Sequence, residues 1–122
     1  VTRQPLPNWR RSETHVVQHG NHEFLVGFGF GEDGRVMEVF CSSGKTGVDM
    51  TALVTDACIL VSLLLQHGES VTALAESMGE NRAEGENSGP PASLIGAIVR
   101  VAAWVDAQRT VLELMPEPPP NS

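Results

Sequence analysis

Phe24, Val26, Phe28 and Phe30 alternate with Leu25, Gly27 and Gly29, the period-2 pattern of a half-buried strand. Asp33-Gly34 then favours a two-residue hairpin turn of type I′, and alternation resumes from Arg35 to Cys41. That turn predicts a register with Phe30 opposite Met37, Phe28 opposite Val39 and Val26 opposite Cys41 on one wholly apolar face. On the other face Gly29 meets Glu38 and Gly27 meets Phe40, whose ring covers a glycine that has no side chain of its own. Upstream, Thr14 to His19 reads as a shorter strand joined through Gly20-Asn21, which completes a three-stranded antiparallel meander.

From Val48 to His67 the period becomes helical. Met50, Leu53, Val54, Ala57, Leu60, Val61, Leu64 and Leu65 form one wide stripe, and Cys58, Ile59 and Leu63 extend it. Such a helix is expected to be central, packed on the sheet and on other helices, with Gly68 as its C-terminal glycine cap. Ser70 is placed to cap a short helix through Met78, with Val71, Leu74 and Met78 inward. Residues 79–92 read as a polar, mobile loop. Ser93 caps a last helix whose inner face is Leu94, Ile98, Val101, Ala102 and Val105, and Gly96 within it suggests close approach to the central helix. The fold class expected is therefore α+β, a three-stranded meander packed against one long helix and two others.

Proline-marked segments at 1–12 and 115–122 are expected as tails around a single domain at 13–114. The chain of 122 residues is too short for a second domain. A net charge of -7 with one adjacent basic pair, Arg10-Arg11, argues against nucleic acid, because phosphate binding needs clustered Lys and Arg. Arg10-Arg11 itself reads as a solvated flank. The longest apolar run, Ala57 to Leu65, is broken by Ser62 and falls short of the ~20 residues of a membrane span. No secretory signal is read, and the two cysteines, Cys41 and Cys58, lack metal or redox-motif spacing, so reduced thiols in the cytoplasm are expected.

Candidate chemistry is sparse. Ser42-Ser43-Gly44-Lys45-Thr46-Gly47 links a strand to a helix and ends like a phosphate-binding loop, but position 39 is Val where that pattern requires Gly. What survives is a helix start whose free N–H groups, with Lys45 beside them, attract an anion or a partner carboxylate. Asp49 in the first turn opposes this. Ser43, Gly44, Lys45, Thr46 and Gly47 are the predicted anion- or partner-binding residues. His15 and His19 share a strand face but stand ~13 Å apart along it. His19 and His22 flank the turn as a two-imidazole pair, an incomplete metal site, so no metal is expected. Cys41 and Cys58 on apolar faces, and Asp56 alone in the long helix, assemble no catalytic group.

Three blocks in order, His22-Glu23-Phe24-Leu25-Val26-Gly27-Phe28, Gly34-Arg35-Val36-Met37-Glu38-Val39-Phe40 and Ser43-Gly44-Lys45-Thr46-Gly47-Val48-Asp49-Met50, carry a resemblance. With Leu53 to Ala57, Leu63 to Gly68 and Ala92 to Ala97, they resemble the TSCPD domain, found near the C-terminus of adenosylcobalamin-dependent ribonucleotide reductases and as small free-standing proteins. The resemblance covers most of residues 14–106. The Thr-Ser-Cys-Pro-Asp string that names the family is absent, as is the C-terminal cysteine pair of such reductases, so no catalytic or cofactor residue carries over to this chain. The resemblance implies an accessory or regulatory module for deoxyribonucleotide synthesis, with a ribonucleotide reductase chain as partner and adenosylcobalamin belonging to that partner. A homo-oligomer is a second partner expectation. The competing expectation is a small anion- or nucleotide-binding protein using the Ser42 to Gly47 loop.

Overall fold

The structure is a computed structural model that describes residues 2, 3, 6, 11–44 and 47–114. Strands β1 (Ser12–His19), β2 (His22–Phe30) and β3 (Val36–Gly44) form an antiparallel sheet in that order, followed by helices α1 (Val48–Gln66), α2 (Val71–Ser77) and α3 (Leu94–Leu114). This is the α+β meander that the alternation predicts. Its inner face, with Val17, Phe24, Val26, Phe28 and Val39 all buried, is covered by α1 over β3 and by α3, which reaches all the strands.

The β2–β3 turn differs from the expected one. Gly31 donates to the Arg35 carbonyl and Gly34 to the Gly31 carbonyl, so three residues, not two, form the loop. Gly34 alone takes the left-handed conformation, at φ 82, whereas a type I′ turn would need Asp33 there too. The longer loop puts Phe30 opposite Val36 rather than Met37, and a bulge at Gly29/Phe30 absorbs the extra residue. Beyond it the expected pairs hold, including Gly27 with Phe40 and Val26 with Cys41. A Cβ on Gly27 would run into the Phe40 ring, so this position depends on glycine.

Helix α1 starts where expected and ends in a glycine cap. The Gly68 N–H bonds the Leu65 carbonyl and the Glu69 N–H that of Leu64, with Gly68 at φ 100, the paired bonds of a Schellman motif. Its buried face, however, is not the predicted stripe. Val54, Cys58, Val61 and Leu65 are buried together with two polar residues, Ser62 and Gln66. The Ser62 hydroxyl accepts the Val39 N–H at 2.9 Å, and its proton lies between the carbonyls of Val39 and Cys58. The Gln66 amide donates to the Met37 carbonyl at 3.2 Å. These i, i+4 side chains satisfy the edge of β3 that faces away from β2, as a fourth strand would. That tether sets the rotation of α1, and Leu53, Leu60 and Leu64 are left 65%, 62% and 43% exposed.

As a whole, α1 is long and apolar enough to cross a membrane, with 19 residues and a mean hydropathy of 1.9. The shorter run Ala57 to Leu65 understates it. Here the helix lies along β3.

Ser70 caps α2 by accepting the Ala73 N–H, and Ser93 caps α3 by accepting the Gly96 N–H. Gly96 approaches Met78 and Pro91 rather than the central helix. Segment 79–92 is no loose polar loop: Asn81 N–H bonds the Pro90 carbonyl and Ala92 N–H bonds Gly79, closing it at its base. At the N-terminus, Arg3 donates to the Gln66 side chain at 2.7 Å. Arg11, expected as a solvated flank, sits over the Phe30 ring at 4.8 Å. The tail expected at 115–122, and Arg10, lie outside the described residues.

Candidate functional site

The junction of β3 and α1 is where the sequence places a binding loop. Ser43 and Gly44 turn out to belong to β3, paired with Leu25 and Phe24. Expected loop residues are thus engaged in the sheet, and the connection is shorter than the stretch from Ser42 to Gly47. A bulge at Leu25/Val26 leaves Ser42 outside the ladder, and its hydroxyl donates to the Leu25 carbonyl. Lys45 and Thr46 lie outside the described residues. Gly47 is the N-cap of α1 in an extended conformation, φ -70 and ψ 161, and offers no side-chain cap. Its carbonyl accepts both the backbone N–H and the hydroxyl of Thr51. Asp49 occupies the first turn, where its charge offsets the helix dipole.

A groove of about 390 Å³ lies between the N-terminal half of α1 (Met50, Leu53, Ala57) and the start of α3 (Leu94, Ile95), and His19 and His22 also line it. The two histidines are a cross-strand pair, as expected. His19 donates from Nε2 to the Pro91 carbonyl at 2.8 Å, which ties the β1–β2 turn to the entry of α3. His15 is held elsewhere, 3.2 Å from a Glu13 oxygen and between the rings of Phe28 and Trp104. Among the described residues no group of three or more His, Cys, Asp or Glu is placed to hold a metal ion.

Two arrangements escape a reading of the sequence. Cys41 and Cys58, separate in the chain, bring their thiols to 3.7 Å across the β3–α1 contact. The hydrogen bond from Cys58 holds the Cys41 thiol below its ordinary pKa, against the opposing effect of partial burial. Its counterpart, Cys58, is pushed up by the same bond, by burial and by the neighbouring charge. The second arrangement centres on Glu80. Its carboxylate meets Arg82 Nε at 3.1 Å, Arg100 at 3.1 Å and the Gly89 N–H at 3.2 Å. These partners, Arg82 first, hold its pKa below the usual carboxylate value. Arg100 also donates to the Gly89 carbonyl at 2.7 Å, so one carboxylate and one guanidinium gather a loop that composition alone reads as polar and mobile.

The sequence pattern that defines the TSCPD domain matches residues 2–103. This chain belongs to the TSCPD family. The chain is similar in sequence to part of a vitamin B12-dependent ribonucleotide reductase from Agrobacterium fabrum, 32% identical over 75 residues, which are 62% of this chain and 6% of that protein. A vitamin B12-dependent ribonucleotide reductase from Bradyrhizobium diazoefficiens is 32% identical over 66 residues, 54% of this chain and 5% of its own length. The chain thus spans a small fraction of these relatives. No solved structure matches it.

The TSCPD match starts well before residue 14, where the resemblance begins, and takes in Arg3 with its contact to Gln66. It includes the whole sheet, α1, α2, the Glu80 loop and the first half of α3, and ends one residue before Trp104. The β3–α1 junction, the groove and the paired thiols all lie within the TSCPD region.

Proposed function

We propose that this protein is an accessory module of vitamin B12-dependent ribonucleotide reduction, which docks on a reductase chain by protein contact and performs no catalysis of its own. The observation that carries the reading is its 32% identity to a short stretch of much larger reductases, 6% of the length of one of them. A fragment of that size is suited to positioning or regulation, while the chemistry resides in the remainder of such an enzyme. On this reading adenosylcobalamin belongs to the partner. The expected compartment is the cytoplasm, with the reductase and the supply of deoxyribonucleotides.

The contact is assigned to Ser43, Gly44, Lys45, Thr46 and Gly47 and the first turn of α1. Gly44 ends a paired strand and Gly47, the N-cap of α1, has no side chain, so the first N–H groups of α1 are offered from an ordered helix start. Lys45 is a local positive charge on a chain of net charge -7, which favours an acidic segment on the partner. Affinity capture of the cognate reductase by wild-type protein, and loss of capture by Lys45→Glu with Thr46→Ala at native circular dichroism, is the expected result. Undiminished capture by the double variant, with loss on altering residues 79–92 instead, moves the contact to the Glu80 loop.

The uncapped Gly47 also favours a second reading, a phosphate-bearing ligand at the same helix start. Titration with inorganic phosphate in the absence of reductase separates the two, because only the second reading expects saturable shifts at Gly47 and Val48.

A further inference from the structure

Cys41 and Cys58 form a nucleophilic pair that the docking reading leaves unused. Their sulfurs lie 3.7 Å apart across the contact of β3 with α1, and the chain has no third cysteine. They are exposed unequally, Cys41 being partly buried and Cys58 only 1% exposed. An oxidant arriving from solution therefore meets Cys41, and the buried sulfur is reached only through its neighbour.

The surroundings decide which sulfur moves. A disulfide holds its sulfurs about 2.0 Å apart, so the gap has to shrink by about 1.7 Å. Cys58 stands in the middle of α1, and its carbonyl accepts the Ser62 hydroxyl at 2.8 Å. Cys41 stands next to the bulge at Leu25/Val26, where Ser42 has left the ladder. A bulge interrupts the ladder and lets the strand bend, so the movement falls to Cys41.

Electrostatics put the steps in order. The hydrogen bond from Cys58 favours the thiolate of Cys41, the form that attacks a peroxide. The proton of Cys58 is held by that same bond, by burial and by the charge on Cys41. The bond and the charge lapse once the Cys41 sulfur carries an oxygen and is neutral. Cys58 is thus kept protonated until its neighbour is oxidised, and is released at the step that needs its sulfur.

We propose that Cys41 and Cys58 are a peroxide-responsive dithiol, in which Cys41 is the site of oxidation and Cys58 resolves it to an intramolecular disulfide. The Cys41 sulfur attacks the O–O bond of a hydroperoxide; an S–O bond forms, the O–O bond breaks, and the far oxygen leaves with the Cys41 proton as an alcohol or water. The Cys58 sulfur then displaces the remaining oxygen from Cys41, which departs with the Cys58 proton as water while the S–S bond forms. The two thiols lose two electrons and two protons, and the peroxide takes up both. The bridge closes a ring from Cys41 to Cys58 that contains Ser43 to Gly47, the stretch to which reductase docking is assigned. It is read on the protein alone, so it stands or falls apart from that assignment.

The experiment is exposure of the full chain to sub-millimolar hydrogen peroxide, followed by intact mass and peptide mapping. Wild-type protein is expected to lose two hydrogens, to yield a peptide pair joined through Cys41 and Cys58, and to recover its mass in dithiothreitol. Its urea midpoint is expected to rise on oxidation, because a link across 17 positions restricts the unfolded chain. Cys58→Ser keeps a hydrogen-bond donor beside Cys41 but cannot bridge, so Cys41 is expected to gain two oxygens as a sulfinic acid. Cys41→Ser is expected to leave Cys58 a free thiol under the same exposure. Wild-type protein that keeps both thiols overturns the proposal, as does wild-type protein that accumulates sulfinic acid at Cys41 or joins to a second copy through it. Oxidation of Cys58 in Cys41→Ser at the wild-type rate overturns the assigned order.

Discussion

The thiol of Cys41, near the end of β3, lies 3.7 Å from the thiol of Cys58 in the middle of α1. The partly buried Cys41 gives up its proton first, since the Cys58 thiol donates to the sulfur left behind. Cys58, 1% exposed, keeps its own. Iodoacetamide at neutral pH is therefore expected to label Cys41 well before Cys58, and Cys58→Ala is expected to slow that labelling by removing the donor. Peptide mapping of the labelled protein decides it; equal rates at the two sites show that the thiols do not act as a pair.

The same pair sets a pH dependence. In the unfolded chain Cys58 ionises in the ordinary thiol range, whereas in the fold its pKa is raised. Above that range the folded state retains a proton that the unfolded state has lost, so stability falls as pH rises, by about 1.4 kcal/mol per pH unit for one proton. The lowered Cys41 acts in the opposite direction at lower pH, because the unfolded chain there holds the extra proton. Urea midpoints across the alkaline range are expected to decline for wild type and to flatten in Cys58→Ala.

Ser62 is the second point at which α1 is keyed to β3. Removing its hydroxyl takes away the acceptor of the buried Val39 N–H. Ser62→Ala is expected to cost about 1–3 kcal/mol, the price of leaving a buried donor unpaired. Leu60→Ala, at a position 62% exposed, is the contrast and is expected to cost less. Urea melts of the two variants read the difference, and equal losses mean that α1 is rotated from the position described.

What the sequence reveals, and what it conceals, follows from the range of each interaction. Period-2 alternation identifies β2 and β3 because their faces are set residue by residue, and Ser70 and Ser93 cap helices through bonds only three residues long. The extra residue in the Gly31 to Arg35 loop is hidden because Asp33-Gly34 serves the shorter turn as well, and its register error is cancelled one pair later by a bulge. The face of α1 is hidden for a different reason. So apolar a helix has no single hydrophobic stripe, and the choice falls to Ser62 and Gln66, whose partners in β3 are 23 and 29 residues away. Of the candidate site, the sequence locates the β3–α1 junction but gives no sign that Ser43 and Gly44 join the sheet, because strand pairing there is decided by Leu25 and Phe24 across the ladder.

Phe28 tests the sheet's inner face. It is fully buried between the sheet and its helices, opposite Val39. Phe28→Ala is expected to cost about 3–5 kcal/mol, combining lost transfer energy with the cavity left in a core that cannot collapse onto it. Phe40→Ala removes a ring from the outer face, where it is 39% exposed and covers only Gly27. Its loss is expected to be smaller, about 1 kcal/mol. Chemical denaturation of both variants checks the order, and a larger loss at Phe40 reverses the assignment of the two faces.

Glu80 holds the 79–92 segment through Arg82, Arg100 and the Gly89 N–H, and Arg100 alone of these partners belongs to a helix. Gly89 admits no substitute, since a Cβ there would run into the Asn81 carbonyl. Arg100→Ala is expected to loosen the segment without unfolding the domain, because the core residues of α3 face the other way. Limited proteolysis is the measurement, with new cuts between Asn81 and Ser88 and little change in the global melt. The acid dependence has a defined sign. Glu80 has a lowered pKa in the fold, so its hold on the segment is complete above the usual carboxylate range and is lost as pH falls through the depressed value. Cleavage of wild-type protein by an acid-active protease should therefore rise at low pH, whereas Glu80→Gln should be cut at a rate that no longer depends on pH there. Acid-dependent cleavage that persists in Glu80→Gln assigns the titration to another carboxylate and removes Glu80 from the centre of the loop.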